Sequence, residues 1–375
     1  MNSRIVGVIL LTIGLANSPA LAAKNVANTS QKGSLLIYPA VDVNPDDVSS
    51  TLIEISNDEN SPIEIECYYV NEKKHRVDFG FALTAKQTAS WDASSGSGTI
   101  AAPPFPGGGT FAPGNPNRGE LICFAVDSNV ANQVAFNHLT GTATIVRAND
   151  AGAGQARHAF RYNAWAFAAE GAPPNYTVIG TPGHLQLSGG GLGTYDACPQ
   201  YNIASFMPGE ANRGSGSRLG VAPASLYTSQ NALTIVSCNQ DLRQDFILHL
   251  TKLQFTVWNA NGDSFTGSYA CVDSVSQLGR SDVDVINALI FTRPTLRTDN
   301  ARFQVQGVAS TQCPGSENAG ILSVLHSAVA LGTDTELPIP LRDQELGSDT
   351  QGAGFEPGFV LWDPAGAVPQ SKTHK

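Results

Sequence analysis

The sequence predicts an all-β protein made of two antiparallel β-sandwich domains in tandem, supported by disulfide bonds. Apolar and polar residues alternate along many short segments, most clearly along IEIECYYVN at 63–71, as they do in half-buried strands. The 37 glycines and 22 prolines provide the turns that join such strands. Six cysteines and a hydrophobic content of 42% indicate disulfide bonds and well-filled cores.

The first residues have the pattern of a secretory signal. Arg4 is followed by an apolar run at 5–15 and by Pro19-Ala20-Leu21-Ala22, which contains an A-x-A cleavage site. The run of about eleven residues is well short of the roughly 20 that cross a bilayer as a helix. We therefore expect a signal peptide at 1–22, a leader at 23–32, and a secreted or periplasmic protein without direct membrane insertion.

The composition is that of folded domains with a negative charge. A length of 375 residues, less the signal, corresponds to about two domains of ordinary size. The formal net charge is -10, and 14% of the residues are charged. Because phosphate groups are negative as well, this charge disfavours nucleic acid and anionic lipid as partners.

The cysteines indicate structural disulfides. Their number is even in a chain with an export signal, and no C-x-x-C pair indicates zinc or redox chemistry. Cys67 and Cys123 are the two cysteines of the N-terminal half, so we pair them with each other. The other four allow three connectivities, of which we favour the two bridges between sequence neighbours, Cys198 with Cys238 and Cys271 with Cys313.

The first sandwich is expected at 33–187 and begins as a meander. The basic cluster at 73–76 has the composition of a solvated hairpin tip, and Asp127 is expected to cap a short helix through 130–136. The strands predicted from alternation are 34–43, 52–56, 63–71, 77–83, 120–126, 142–147 and 158–167.

A long loop at 92–119 interrupts this domain. It is rich in glycine and proline and shows no periodicity. Trp91 precedes the loop, and Phe105 and Phe111 lie within it, so that apolar rings occupy a segment expected at the surface. Exposed aromatic rings bind sugars and proteins. We therefore predict a binding surface at Trp91, Phe105 and Phe111, with a surface protein or a glycan as the partner.

A glycine run at 189–191 marks the boundary between the domains. We expect a linker at 188–200, because glycine and serine make flexible connections. The second sandwich is expected at 201–345, and an irregular acidic tail at 346–375.

The two halves share short stretches of sequence pattern. Residues 52–56 parallel 233–237, and Tyr69-Val70-Asn71 parallels Val257-Trp258-Asn259. This alignment places Cys67 opposite Phe255. Both side chains fill space at the centre of a sandwich, so an internal duplication is a physically reasonable hypothesis.

The order of Cys67, Trp91 and Cys123 resembles the pattern of immunoglobulin-like β-sandwiches. The resemblance implies two tandem immunoglobulin-like domains. The glycine-rich loop and the missing tyrosine corner depart from that pattern, and a fold of this kind indicates no function by itself.

The sequence shows no local catalytic or metal-binding motif. It has no G-x-S-x-G elbow, and no two of its seven histidines are two or four residues apart. The acidic pairs, such as Asp58-Glu59, do not have the spacing of a calcium loop. We therefore assign no catalytic residue, no metal ligand and no cofactor.

These observations favour an exported, non-enzymatic protein that binds a partner or has a structural role at the cell surface. One alternative is a secreted hydrolase or carbohydrate-binding protein whose site is assembled from separate strands. Another is a subunit that polymerises through the loop with Phe105 and Phe111.

Overall fold

The computed structural model describes residues 25–43, 49–107, 118–148, 157–171, 177–189, 191–206, 208, 227–238, 242, 250–272, 276–278, 293–298, 300–313, 319–331, 338–340, 344–345 and 347–349. The predicted signal peptide at 1–22, Phe111 and most of the predicted tail lie outside these residues. Within the described part of the chain, no helix is long and apolar enough to span a bilayer.

The protein is all-β. In the N-terminal half, the described strands are β1 (Leu35–Asp42), β2 (Ser49–Asn57), β3 (Ile63–Asn71), β4 (Arg76–Leu83), β5 (Thr88–Asp92), β6 (Arg118–Val126), β7 (Gln133–Val134), β8 (Leu139–Ala148), β9 (Arg157–Asn163), β10 (Trp165–Phe167) and β11 (Val178–Gly180).

The C-terminal half continues in the same way, with a one-turn helix, α1 (Arg293–Leu296), before its sixth strand. Its described strands are β12 (Tyr201–Phe206), β13 (Tyr227–Ser237), β14 (Thr251–Asn259), β15 (Ser264–Val272), β16 (Ser276–Leu278), β17 (Ala301–Val308), β18 (Ile321–Leu331), β19 (Pro338–Pro340), β20 (Gln344–Glu345) and β21 (Gly347–Asp349).

The strands form four antiparallel sheets, two from each half. Sheet 1 has the order β10-β1-β6-β3-β4, with β7 and β11 joined beside β6, and sheet 2 has the order β5-β2-β8-β9. Sheet 3 has the order β16-β13-β18-β19, with β20 beside β18, and sheet 4 has the order β15-β14-β17-β12-β21.

The middle of sheet 1 is buried on both faces, and the sequence of β1 reflects this. Strand β1 reads LLIYPAVD and is buried along its whole length, because each of its faces meets a different core. Strand β2 of sheet 2 alternates instead: Ile53 and Ile55 are buried, whereas Leu52 is exposed. One face of sheet 2 therefore packs inward and the other meets solvent.

The two halves share a core. Leu36, on one face of β1, packs in the core between sheets 1 and 2. Leu35, on the opposite face, belongs to a second core that extends to Leu233 of sheet 3 and Phe303 of sheet 4. The indole N–H of Trp165 donates a hydrogen bond to the carbonyl of Ser323 across the halves (3.2 Å).

The halves have the same strand order. Sheets 1 and 4 correspond as β4-β3-β6-β1-β10 and β15-β14-β17-β12-β21, and sheets 2 and 3 correspond as β5-β2-β8-β9 and β16-β13-β18-β19. In this correspondence Cys67 of β3, which is paired with Cys123 of β6, matches Phe255 of β14, which is paired with Val305 of β17. The topology thus agrees with the alignment of Cys67 with Phe255.

A matching turn follows β3 and β14. Asn71 Oδ1 accepts hydrogen bonds from the N–H groups of Lys73 and His75 (both 2.9 Å). Asn259 Oδ1 accepts them from the N–H groups of Asn261 and Asp263 (3.0 and 2.9 Å). An asparagine side chain that bonds its own backbone in this way fixes the turn, so the predicted hairpin tip has the same construction in both halves.

The three disulfides join the pairs that the sequence predicted: Cys67 with Cys123, Cys198 with Cys238, and Cys271 with Cys313. They are typical of a protein in an oxidising environment. In the immunoglobulin pattern the disulfide joins the two sheets. Here Cys67 and Cys123 lie opposite each other on neighbouring strands of one sheet, which is a difference from that pattern.

The segments predicted as leader and linker are packed against each other. Ala27 is fully buried, and its N–H donates to the carbonyl of Ala197 (3.0 Å). Tyr195 is fully buried as well, and Asp196 Oδ2 accepts a hydrogen bond from the side chain of Gln31 (2.8 Å). Both segments are therefore held by hydrogen bonds and are not free connections.

The helix predicted at 130–136 is wrong. The chain makes a turn in which Asp127 Oδ1 accepts from the N–H of Ala131 (2.8 Å), and the short strand β7 follows. Asp127 thus bonds nearby backbone as a capping residue does, but Val130 has a φ of 55°, which is incompatible with a right-handed helix.

Candidate functional site

Two of the predicted binding residues belong to the core. Trp91 is 2% exposed, and its indole N–H donates to the hydroxyl of Tyr69 (2.7 Å). Phe105 is 1% exposed and meets the ring of Tyr69 edge to face. These rings are not available to a partner, which corrects the predicted binding surface, and Phe111 lies outside the described residues. The lack of periodicity at 92–119 predicted a loop at the surface. In the structure Trp91 lies on β5, and the loop folds back so that Phe105 is buried in the sandwich.

The first part of the loop is held by Asp92. Its Oδ1 accepts hydrogen bonds from the N–H and hydroxyl of Ser94 (2.7 and 2.6 Å) and from the hydroxyl of Ser50 (2.9 Å). Burial raises the pKa of Asp92, but these hydrogen bonds outweigh it and leave the pKa below its ordinary value. The ionised carboxylate therefore fixes the turn that returns along β5.

This turn covers the outer edge of β5. The N–H of Asp92 donates to the carbonyl of Ser97 (2.9 Å), and the N–H of Thr99 donates to the carbonyl of Ser90 (2.7 Å). Farther along, the N–H of Phe105 donates to the carbonyl of Ala93 (2.7 Å). The loop therefore covers the edge of sheet 2 at β5.

The opposite edge, on β4, is open. Strand β4 pairs with β3 over its whole length without a bulge. In the described part of the chain, no other strand pairs with it and no backbone group of another segment bonds to residues 77–83. Edge strands usually carry a proline, a bulge or a cover that prevents pairing with another chain. Residues 77–83 have no proline and no bulge, and no described segment covers them.

The geometry of β3 shows which backbone groups of β4 face outward. The Cα atoms of Cys67 and Cys123 are 4.1 Å apart, the short separation of a pair without mutual backbone hydrogen bonds. The N–H and C=O of Cys67 therefore point towards Phe79, its partner on β4. By alternation, the N–H and C=O groups of Asp78, Gly80 and Ala82 point away from the sheet.

The inner face of this edge is aromatic. Phe79 and Phe81 are half-buried and stack on each other with ring centroids 6.3 Å apart. Both meet Trp91 edge to face, at 5.8 and 5.7 Å, and Phe79 also packs against Tyr69. The two phenylalanines extend the core to the open edge, where part of each ring meets solvent.

The outer face of the edge is acidic. A β-carbon on Gly80 would be 2.9 Å from Glu66 Oε2, so the carboxylate of Glu66, on β3, lies over Gly80. Burial and the carboxylate of Asp78 raise the pKa of Glu66. Glu64 lies two residues away on the same face, opposite Ala82. The small residues Gly80 and Ala82 thus leave both carboxylates accessible from the edge.

Arg76 neutralises Asp78 at one end of the edge. Its Nε and Nη2 donate to the two carboxylate oxygens of Asp78, both at 2.7 Å. The guanidinium also lies over the ring of Tyr68, 4.3 Å from its centroid, and donates to the carbonyl of Leu242 in the C-terminal half. Arg76 is therefore held in place and does not form an ion pair with Glu66.

The equivalent edge of the C-terminal half, on β15, has different chemistry. Gln254 and Lys252 occupy the positions of Glu66 and Glu64 when Phe255 is matched with Cys67. Gly267 matches Phe79 on the edge strand, and Phe255 fills the space beside it. The acidic outer face and the pair of phenylalanines are therefore specific to β4.

A separate ionic cluster joins three loops at the end of the N-terminal half. His138 Nδ1 is 3.1 Å from Asp58 Oδ1, and its Nε2 is 3.2 Å from Glu59 Oε2. Lys32 bonds to Asp58 as well. Burial raises the pKa of Asp58, but the bonds from Lys32 and His138 outweigh it and lower the pKa overall. The described residues contain no group of three or more His, Cys, Asp or Glu that could hold a metal ion.

Sequence reasoning missed the edge of β4. The segment RVDFGFAL was identified as a strand, but its place at the edge of a sheet depends on which strands pair. A signal was present: glycine in the middle of a strand marks close approach by another group, and Gly80 is such a residue.

The comparisons with known proteins leave the family open. The chain matches no family model and no curated protein. One similar solved structure is that of Thermotoga maritima 1070, with a TM-score of 0.24 and 9% identity over 38% of this chain and 98% of the other. Another is the PBSX exported protein XepA, with a TM-score of 0.16 and 8% identity over 82% of this chain and 85% of the other. Both TM-scores are too low to establish a shared fold.

Proposed function

We propose that this is an exported, non-enzymatic protein that binds another polypeptide outside the cytoplasm by adding a strand of the partner to the edge of β4. One observation carries the proposal. The outward N–H and C=O groups of Asp78, Gly80 and Ala82 have no backbone partner in the described part of the chain, and the half-buried rings of Phe79 and Phe81 lie beside them.

Strand addition would use both the open backbone groups of β4 and the aromatic face beside them. Main-chain hydrogen bonds to the open groups supply affinity, and alternate side chains of the added strand pack on the face below. Residues 77–83 have no proline and no bulge, so a partner strand meets a regular ladder. Added apolar side chains would cover the exposed part of Phe79 and Phe81 and so gain hydrophobic stabilisation.

Export is the second part of the proposal. The apolar run and the A-x-A site at 1–22 support a secretory signal, and three disulfides are typical of secreted and periplasmic proteins. We infer two sandwich domains in tandem, because the halves have the same strand order. We also propose that these two domains are related to immunoglobulin-like sandwiches.

We assign the contact with a surface protein to β4 and not to the rings of the neighbouring loop. Within 92–107, the loop covers β5 and buries Phe105. Trp91, on the covered strand β5, supports the binding edge from the opposite sheet through its contacts with Phe79 and Phe81.

The experiment is a selection of peptides on the mature protein. A display library of random 12-residue peptides is panned against it, and the enriched peptides are measured against two variants of one residue. Ala82→Pro removes an outward N–H without touching the ladder between β3 and β4, since that N–H points to solvent. Ala82→Thr keeps the N–H and serves as the matched control.

We expect the enriched peptides to bind the wild type and Ala82→Thr, and to lose at least about tenfold in affinity for Ala82→Pro, which is the cost of about one strong backbone hydrogen bond. Circular dichroism and thermal unfolding verify that both variants are folded. Enriched peptides that bind Ala82→Pro as tightly as the wild type, or the absence of any enriched peptide, would overturn the proposal.

A further inference from the structure

We infer that the strand recognised by β4 carries lysine or arginine at alternate positions, on the face that meets Glu64 and Glu66, with apolar residues between them. This inference rests on the proposed function and specifies the chemistry of its partner.

The outer face of the β4 edge is negatively charged. Glu66 and Glu64 form no ion pair within the part of the chain that the structure describes, and Arg76, the nearby cation, is bonded to Asp78. Neither carboxylate is therefore paired within the described residues, and the nearby guanidinium of Arg76 only partly offsets the effects that raise the pKa of Glu66. A cation brought close would be attracted by both negative charges, and it would also favour the ionised form of Glu66, whose pKa is raised by burial and by Asp78.

A partner strand would reach these carboxylates across β4. Neighbouring strands are about 4.8 Å apart, so a strand added beside β4 lies roughly 10 Å from β3. Gly80 and Ala82 have little or no side chain in that interval, and the Glu66 carboxylate already extends over Gly80. A long lysine or arginine side chain lying across β4 therefore meets the carboxylate above Gly80.

The other side chains of the added strand would lie on the aromatic face. Successive side chains of a strand point to opposite faces, so the residues between the basic ones face the core side of sheet 1. On that side they meet the half-buried rings of Phe79 and Phe81. Apolar residues are the ones that stabilise the complex there, and β-branched or aromatic types suit a cross-strand contact with phenylalanine.

The same charges disfavour a second copy of the chain as the partner. Antiparallel pairing of β4 with β4 of another copy would place two sets of Glu64 and Glu66 on one face. Each copy also has a formal charge of -10, and like net charges oppose association. The charge pattern therefore favours a different polypeptide with basic residues.

The C-terminal half provides an internal comparison. Where β3 has Glu64 and Glu66, β14 has Lys252 and Gln254. An edge with that composition has no acidic pair and does not select for basic strands. The double variant Glu64→Gln/Glu66→Gln likewise removes the acidic pair beside β4 and leaves two neutral residues in its place.

The experiment uses three defined peptides of nine residues with a fluorescent label. Valine occupies every second position in each, and the other positions are lysine, serine or glutamate. Binding is measured by fluorescence anisotropy on the mature protein, on the Glu64→Gln/Glu66→Gln variant, and on a Glu54→Gln/Glu170→Gln variant. The last has the same net charge as the test variant, but its changes lie away from the β4 edge.

We expect the lysine peptide to bind the wild type at least about tenfold more tightly than the glutamate peptide, with the serine peptide between them. This ratio should fall to about twofold in the Glu64→Gln/Glu66→Gln variant and persist in the control variant. Raising the salt concentration should reduce it as well, because these carboxylates are accessible to solvent.

The outcomes separate this inference from the proposed function. Equal binding of the three peptides, with loss of all three in Ala82→Pro, would overturn the basic partner and leave strand addition in place. Binding that is selective for lysine but unchanged in Ala82→Pro would overturn strand addition. If the protein forms dimers in the absence of any peptide, and Ala82→Pro abolishes them, the partner of β4 is a second copy of the chain and not a basic polypeptide.

Discussion

The carboxylate of Glu66 lies over the backbone of Gly80, in the space that a side chain would otherwise fill. The absence of a β-carbon at one residue of β4 thus sets the position of a charge that belongs to β3. The ionised carboxylate lowers the stability of the free protein, because burial and Asp78 disfavour its charge. In the proposed complex the same charge would attract a basic residue of the partner and stabilise binding.

Glu66→Gln should make the protein more stable at pH 7. Burial and Asp78 raise the pKa of Glu66, so the folded protein holds this proton more tightly than the unfolded chain does. The stability of the wild type therefore falls as the pH rises from about 4.5 through the raised pKa, and it then stays lower. Glutamine removes this part of the pH dependence. Since Glu66 is partly exposed, solvent screening limits the effect, and we expect a gain of a few tenths of a kcal/mol, at most about 1, at pH 7 and no gain at pH 4.

Urea unfolding of the wild type and Glu66→Gln at low salt and at pH 4, 5, 6 and 7 measures this difference. Glu170→Gln, a change of the same type at an exposed position, serves as the control. If Glu66→Gln is less stable than the wild type at pH 7, the pKa of Glu66 is not raised in the folded protein.

Gly80→Ala should move the Glu66 carboxylate into solvent. The new β-carbon would be 2.9 Å from Oε2, and the flexible glutamate side chain would yield before the backbone does. The pKa of Glu66 should then return towards its ordinary value. The cost in stability should stay within about 1 kcal/mol, because replacing glycine also reduces the entropy of the unfolded chain.

NMR titration of the glutamate carboxyl carbons measures that pKa directly. Ala82→Ser, which changes the neighbouring outward position, is the matched control. If Gly80→Ala leaves the pKa of Glu66 at its raised value, the carboxylate is held by something other than the space over Gly80.

Phe105→Ala should destabilise the protein by about 3–5 kcal/mol, the usual cost of removing a buried phenylalanine. The ring is almost fully buried against Tyr69, and the adjoining carbonyl of Pro106 accepts a hydrogen bond from Asn71. Urea unfolding of this variant is compared with that of Phe81→Ala, whose ring is half-buried and should cost less. Equal losses would mean that Phe105 is less buried in solution than the fold requires.

Trp165→Phe should lower stability by about 1–3 kcal/mol, because the carbonyl of Ser323 would lose a donor in a buried site. Since the tryptophan packs in the core shared by both halves, unfolding should remain a single transition. Circular dichroism and fluorescence from the remaining tryptophans should report the same midpoint. Two separate midpoints would show that the halves unfold independently.

Much of the fold could be predicted from local pattern. The alternation in IEIECYYVN identifies β3. The cysteines are even in number, with two in the N-terminal half and four in the C-terminal half, and this led to three disulfides that are all present. The alignment of Cys67 with Phe255 also agrees with the pairing of the strands. These features depend on residues close in sequence, or on very few alternatives, and so they are visible without tertiary contacts.

The remaining features depend on contacts between distant residues. Phe105 lies in a segment without periodicity, and its burial depends on a turn that Asp92 fixes. Asp127 has the chemistry of a helix cap, but the chain after it turns into β7, because tertiary pairing overrides a weak local signal. The open edge of β4 follows only from the order of strands in sheet 1. The position of the Glu66 carboxylate beside this edge also depends on the pairing of β3 with β4.

The shared core also bears on the order in which the protein folds during synthesis. The N-terminal half leaves the ribosome first, and the face of sheet 1 that carries Leu35, Ile37 and Phe124 is covered only when residues 233–325 have followed. Until then a broad apolar surface remains in water, where it is prone to aggregate. A chain truncated before residue 233 would keep this surface exposed, so we expect it to aggregate more readily than the full-length protein.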